Sequence, residues 1–87
     1  MAVDLGIDLG TSTTLICDEN GEVLLNEPSL VIKSNTSDQV VAIGSAASDM
    51  IGRTPEGVSA IMPIRGGAIT AYNATVAMLK YFIKQVA

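Results

Sequence analysis

The chain has 87 residues, enough for one small domain, and 48% of them are hydrophobic while only 16% are charged. A net charge of −4 without any basic cluster argues against nucleic-acid binding. Because the chain has one cysteine and no histidine, it cannot assemble a soft-metal site, an internal disulfide or a Ser-His nucleophile.

Three short strands are predicted at the start of the chain. Apolar runs indicate strands over residues 3–8 and 14–18. An Asn-Gly pair at 20–21 follows, and because this pair between hydrophobic runs is a strong hairpin signal, residues 22–25 are expected to return antiparallel. The sequence Asn-Glu-Pro-Ser at 26–29 is expected to end the third strand.

A second hairpin and a short helix are predicted next. Residues 30–33 and 40–43 are apolar runs joined by a polar stretch at 34–38, the pattern of another antiparallel pair. Residues 45–51 have helix-forming content, and Gly52 is suited to cap a helix of about two turns.

The remainder of the chain is predicted to be an irregular link followed by a long helix. Residues 53–67 contain prolines and glycines, and a short strand is expected within them at 59–62. The long helix is predicted over about 73–86, with Asn73 as its N-cap. Its apolar residues recur at spacings of three and four and predict one stripe that packs on the sheet: Val76, Leu79, Phe82, Ile83 and Val86.

The stretch GIDLGTSTT, at the turn between the first two strands, carries the strongest chemical signal. Gly10 lets the backbone turn tightly after a strand. The amides of the next three residues can then point into one concavity that binds an anion, and their hydroxyls add donors. These residues are Thr11, Ser12 and Thr13. We interpret the turn as a candidate phosphate-binding loop.

Asp8 lies at the end of the first strand, beside this turn. A carboxylate in this position suits a hydrated Mg²⁺, which prefers oxygen ligands and keeps most of its waters. The residues alone leave a second interpretation open, an ordinary hairpin turn in which threonines simply favour strands. The pattern is short, and it lacks the lysine of a Walker motif.

The same stretch resembles the first phosphate-binding loop of the actin, Hsp70 and sugar-kinase superfamily. Three later motifs narrow the resemblance: LNEPSLV at 25–31, IGSAASDMIGRTPEGVSAIMPIRGGAI at 43–69 and AMLKYFI at 77–83. In this order and spacing they resemble the amino-terminal part of the MreB family of bacterial actin-like proteins, and nearly the whole chain is covered.

This resemblance implies an α/β fold, the N-terminal portion of an actin-like (ribonuclease H-like) half domain. It implies a mixed sheet with antiparallel hairpins, one short helix and one long helix. Residues 1–87 would form a partial ATPase subdomain with its first phosphate-binding loop at 8–14.

The resemblance also assigns roles to the loop. Proteins of this family bind ATP and Mg²⁺ in a cleft and polymerise on the inner face of the cytoplasmic membrane. By matching positions, Asp8 would contact the Mg²⁺ through water. Phosphate contacts would come from Gly10, Thr11, Ser12 and Thr13.

Partners and location follow from the same resemblance. We expect ATP binding by the full-length protein, self-association as a filament or an edge-paired oligomer, and no nucleic-acid partner. The location would be cytoplasmic, with membrane contact only through segments outside these 87 residues. Since the other elements of phosphoryl transfer would also lie outside them, we expect this chain alone to be inactive in ATP hydrolysis.

Two alternatives remain at this stage. The first is a fragment of an Hsp70-like or sugar-kinase-type ATPase, which would share the loop but not the later motifs. The second is a stand-alone adaptor that keeps the fold and associates with actin-like filaments without nucleotide chemistry.

Overall fold

The computed structural model describes residues 4–37, 39–53 and 56–87. These residues form two three-stranded sheets, a two-stranded hairpin and two helices. The strands are β1 (Gly6–Leu9), β2 (Thr13–Cys17), β3 (Val23–Pro28), β4 (Val31–Ser34), β5 (Val40–Ile43), β6 (Val58–Ile61), β7 (Ile64–Arg65) and β8 (Ala68–Ile69). The helices are α1 (Ser45–Met50) and α2 (Tyr72–Val86). Residue 3 of the first predicted strand and residue 38 of the polar stretch lie outside the described residues.

The first sheet has the strand order β1-β2-β3, and both of its strand pairs are antiparallel. Ile7 lies opposite Ile16, and Ile16 lies opposite Leu25, so these three side chains share one face. Ile16 is fully buried, and Leu25 packs into the same core as helix α2. Because side chains alternate along a strand, Asp8 lies on the opposite face, away from that helix.

The hairpin between β2 and β3 lies where the Asn-Gly pair predicts it. Gly21 has a φ of 81°, a left-handed conformation that glycine adopts without steric cost. The turn is organised by Asp18, whose Oδ1 accepts hydrogen bonds from the amides of Asn20 and Glu22, each at 2.9 Å. The aspartate side chain thus fixes a loop longer than the two-residue turn that the pair alone suggests.

Strand β3 is longer than predicted, because the expected break at 26–29 is wrong. The strand continues to Pro28, which lies opposite Thr13. At this point the cross-strand hydrogen bond runs from the amide of Ser29 to the carbonyl of Ser12, at 3.0 Å. The ladder therefore requires no donor from the proline nitrogen, and proline is tolerated within the strand.

The second sheet has the order β5-β4-β6, and it confirms the predicted second hairpin. The central strand β4 contributes Val31 and Ile32, both with 0% exposure. Strand β6 begins one residue before the predicted strand at 59–62. Every strand pair among the described residues is antiparallel, so they contain the hairpins of the expected mixed sheet but no parallel pair.

A third hairpin, β7-β8, lies in the segment that was predicted to be irregular. Arg65 lies opposite Ala68, and the two residues between them are Gly66 and Gly67, with φ of 56° and 79°. Two consecutive left-handed residues form the type of two-residue turn that matches the twist of a hairpin. The Gly-Gly pair is itself a signal for a hairpin turn, but the prolines and glycines around it indicate irregular structure.

Helix α2 lies close to its predicted span but begins differently. Its N-cap is Ala71, which makes no side-chain cap hydrogen bond, so the prediction that Asn73 caps the helix is wrong. Thr75, with 2% exposure, instead donates from both its amide and its hydroxyl to the Ala71 carbonyl. Both bonds end on the Ala71 carbonyl, and the amides of the first turn receive no side-chain cap.

The buried face of α2 differs in part from the predicted stripe. Phe82 is fully buried as predicted, but Ile83 is 36% exposed. The residues that complete the buried face are Ala74, Thr75 and Met78. Two of these residues, Ala74 and Thr75, are small, and the helix packs there against the first two sheets. The core between them joins Ile16, Val31 and Ile43 to Phe82. None of the helices in the described residues is long and apolar enough to span a membrane.

Adjacent residues of α2 provide a test of this packing. Replacing Phe82 with alanine should lower the free energy of unfolding by about 3–5 kcal/mol, because it leaves a cavity at the centre of the core. The matched change Ile83→Ala should cost less than about 1.5 kcal/mol, since that side chain is partly exposed. Urea denaturation of both variants checks this, and equal losses would contradict the observed helix orientation.

Candidate functional site

The candidate phosphate loop is the turn that joins β1 to β2. Leu9 and Thr14 form the last cross-strand pair, and residues 10–13 close the turn. The Gly10 amide donates to the Thr13 carbonyl at 3.0 Å. A Cβ atom on Gly10 would lie 2.6 Å from that same oxygen, too close for any side chain. Glycine is required here by this close approach and not by a left-handed φ, which Gly10 does not adopt.

The predicted phosphate-binding residues lie together in this turn, and their donors are available. The amides of Thr11 and Ser12 donate to no acceptor among the described residues. Ser12 and Thr13 are exposed, and Thr11 is half-buried, so an anion in solvent can reach them. Unpaired backbone amides in a tight turn form an anion-binding site, which makes the geometry compatible with the phosphate interpretation.

Asp8 lies two residues before this turn and is exposed. It pairs across the ladder with Leu15, which places its side chain on the same face of the sheet as Thr13. Its carboxylate has no hydrogen-bond or ion-pair partner among the described residues. These residues also contain no cluster of three or more potential metal ligands. One free carboxylate fits a hydrated Mg²⁺, which takes most of its ligands from water and phosphate, rather than a metal held by protein side chains alone.

A buried hydroxyl pair lies at the base of the loop. The Oγ1 atom of Thr14 and the Oγ atom of Ser29 are 2.7 Å apart, and the two residues are 0% and 2% exposed. The Ser29 amide donates to the carbonyl of Ser12, which belongs to the turn itself. Sequence reasoning gave neither member of this pair a role, because the contact joins residues 15 positions apart in the sequence.

Glu27 belongs to the stretch 26–29 that is expected to end the third strand, but the structure gives it a bridging position. It lies within β3, where its Oε1 accepts a hydrogen bond from the Ser45 amide at 2.9 Å. Its Oε2 accepts from the Ser45 hydroxyl at 2.7 Å. Gly44 packs over this contact, since a Cβ there would lie 2.6 Å from Glu27 Oε1 and 3.0 Å from the Phe82 ring. The carboxylate therefore connects the first sheet to the start of α1.

Two cavities lie away from the loop, on either side of Tyr81. One, of about 340 Å³, lies between β3 and α2 and is lined by residues that include Leu24 and Phe82. The other, of about 300 Å³, is lined by β5 residues and Ala46. Neither is lined by a residue of the candidate phosphate loop.

Solved structures define the class of protein to which this fold and loop belong. The chain superposes on MreB 5 of Spiroplasma citri bound to AMPPNP with a TM-score of 0.83 and 33% identity, over 91% of this chain and 24% of that one. The same protein bound to ADP gives a TM-score of 0.84 and 32% identity, over 93% and 25%. The architecture is therefore that of an actin-like protein.

The family follows from sequence comparisons. The family model for the MreB/Mbl protein matches residues 2–87. The cell shape-determining protein Mbl of Bacillus subtilis is 45% identical over 98% of this chain, and the cell shape-determining protein MreB of Escherichia coli is 44% identical over 95%. The chain belongs to the MreB/Mbl family, which decides against the Hsp70-like and sugar-kinase alternative. It spans about a quarter of the length of these relatives, 26% and 25%.

Two glycines, one at the start of β1 and one in the turn after it, test the steric requirement at the loop. The variant Gly10→Ala should lose about 1–3 kcal/mol of stability, because the backbone must move away from the new methyl group. The control Gly6→Ala has nothing within 4 Å of its Cβ, and it should be neutral or slightly stabilising. Equal destabilisation of the two variants in urea denaturation would show that the close approach is not a constraint.

Proposed function

We propose that this chain provides the first phosphate-binding loop of an ATP-binding, filament-forming bacterial actin homologue. The observation that carries the proposal is the tight turn at Gly10, whose following amides are unpaired and accessible beside a free aspartate.

The loop residues would act on the nucleotide mainly through the backbone. Amides of residues 11–13 would donate to oxygens of the terminal phosphates, and the hydroxyls of Thr11, Ser12 and Thr13 would add further donors. The Mg²⁺ would supply positive charge against the phosphates when bound. Asp8 would hold this ion in place by accepting hydrogen bonds from its waters.

Relatives support the nucleotide assignment. The similar Spiroplasma citri protein has been solved bound to AMPPNP and to ADP, and the sequence relatives are named for determining cell shape. From these we infer ATP as the nucleotide and a role in cell shape for the protein that contains this chain. A cytoplasmic location, with membrane contact through other segments, belongs to the same proposal.

A charge-neutralising variant of Asp8 tests the metal part of the proposal. In the full-length protein, Mg²⁺ should increase the affinity for ADP. Asp8→Asn should reduce this increase by about tenfold, since an outer-shell carboxylate typically contributes this much to metal affinity. The measurement is calorimetric titration of ADP with Mg²⁺ and with EDTA.

The matched control is Asp49→Asn, which removes the same charge from an exposed position on α1. It should keep the full effect of Mg²⁺. The proposal is contradicted if Asp8→Asn and the control behave alike. Binding to actin-like filaments by a protein that shows no affinity for ADP would favour the adaptor alternative.

We also propose that the 87-residue chain self-associates through the edge of β1. This strand pairs only with β2 in the described sheet, and Ile7 at its centre is 39% exposed. An apolar edge strand offers unpaired backbone groups to another chain. Exchange of α2 between copies is a second route to the same association.

Light scattering at high micromolar concentration checks this proposal. The chain should show a mass above that of the monomer, and Ile7→Lys should lower it, because a charged side chain on an edge strand opposes pairing. A monomeric mass for the unmodified chain would contradict the proposal. An oligomer that persists unchanged in the lysine variant would point to helix exchange instead of the edge.

A further inference from the structure

The turn that carries the unpaired amides is held in place by Ser29. The Ser29 amide donates to the Ser12 carbonyl at 3.0 Å, and this bond joins the turn to the end of β3. The Ser29 hydroxyl lies 2.7 Å from the Thr14 hydroxyl, and both side chains are buried. Ser29 therefore contacts the loop through its backbone and the start of β2 through its side chain.

This bond determines the direction of one phosphate-binding donor. A trans peptide directs its carbonyl and its N–H to opposite sides, and no peptide in the described residues is cis. Because the Ser12 carbonyl is held toward β3, the amide of Thr13 in the same peptide is directed the other way, into the turn. Rotation of this peptide would turn that donor away from an anion in the loop.

We propose that Ser29, fixed by its hydrogen bond to Thr14, is a positioning residue for phosphate recognition. It does not contact the nucleotide, and it acts by keeping the peptide between Ser12 and Thr13 oriented with its N–H toward the phosphate. This inference rests on the proposed function of the loop. It identifies Ser29, a residue outside the loop, as one that controls the preference of the loop for phosphate.

The buried position of the hydroxyl pair makes it suited to this role. Each hydroxyl is the hydrogen-bond partner of the other, and a buried hydroxyl that loses its partner cannot be compensated by water. Removing either group leaves the other without its bond, and the backbone around Ser29 is then free to shift. The peptide between Ser12 and Thr13 would then lose its orientation, although no residue of the loop had been substituted.

The experiment compares ADP with adenosine, so that phosphate recognition is separated from folding and from binding of the base. Both ligands are titrated, with Mg²⁺ present, into the full-length protein and into Ser29→Ala and Thr14→Val. We expect each variant to reduce the ratio of ADP affinity to adenosine affinity by about three- to tenfold, the effect of about one hydrogen bond. The double variant should be no worse than either single variant, because both remove the same contact.

Two further variants distinguish positioning from a general loss of stability. Thr14→Ser keeps the hydroxyl, and its ratio of ADP affinity to adenosine affinity should equal that of the unmodified protein. Thr75→Val removes another buried threonine hydroxyl, the one that donates to the Ala71 carbonyl at the start of α2. It should leave the ratio of affinities unchanged.

The outcomes separate this inference from the function on which it rests. If the unmodified protein prefers ADP but both variants keep the same ratio, or lose both ligands equally, the positioning role is wrong and the phosphate loop stands. If the unmodified protein shows no preference for ADP over adenosine, the proposed phosphate loop itself is wrong and the inference fails with it.

Discussion

The close approach of Gly10 to Thr13 is the constraint on which the rest of the site depends. With no room for a side chain, the amide of Gly10 reaches the carbonyl of Thr13 and closes the turn between β1 and β2. This closure fixes the pairing of the two strands and places Asp8 on the face that Thr13 also occupies. It also leaves the amides of Thr11 and Ser12 without a partner among the described residues. One steric requirement thus brings donors and a carboxylate together.

Tertiary hydrogen bonds extend this arrangement from the loop into the second sheet. Ser29 connects the turn to the end of β3, and the next carbonyl, of Leu30, accepts a hydrogen bond from the Gly44 amide at 2.9 Å. From Gly44 the chain enters α1, whose first residue, Ser45, is held by the carboxylate of Glu27. Separate hydrogen bonds at Ser29, Leu30 and Glu27 therefore link the loop, the end of β3 and the short helix.

Sequence reasoning predicted the local features well and the tertiary ones poorly. The strands of the first two hairpins were indicated by apolar runs, and the turn at Gly10 by its glycine and hydroxyl residues, because these signals lie within a few neighbouring positions. The pairing of β6 with β4, which completes the second sheet, was not predicted. The stretch 26–29 predicts a strand break, because the acceptable place of Pro28, at a pair where no proline donor is needed, depends on the partner strand. The roles of Glu27 and Ser29 depend on contacts across 18 and 15 positions of sequence, which no local pattern contains.

The most direct test of the central claim is a crystal structure of the full-length protein with ADP and Mg²⁺. We expect the amide nitrogens of Thr11, Ser12 and Thr13 to lie within about 3.2 Å of phosphate oxygens, with a water of the metal between the ion and Asp8. A structure in which the nucleotide is bound but its phosphates make no contact with this turn would contradict the account.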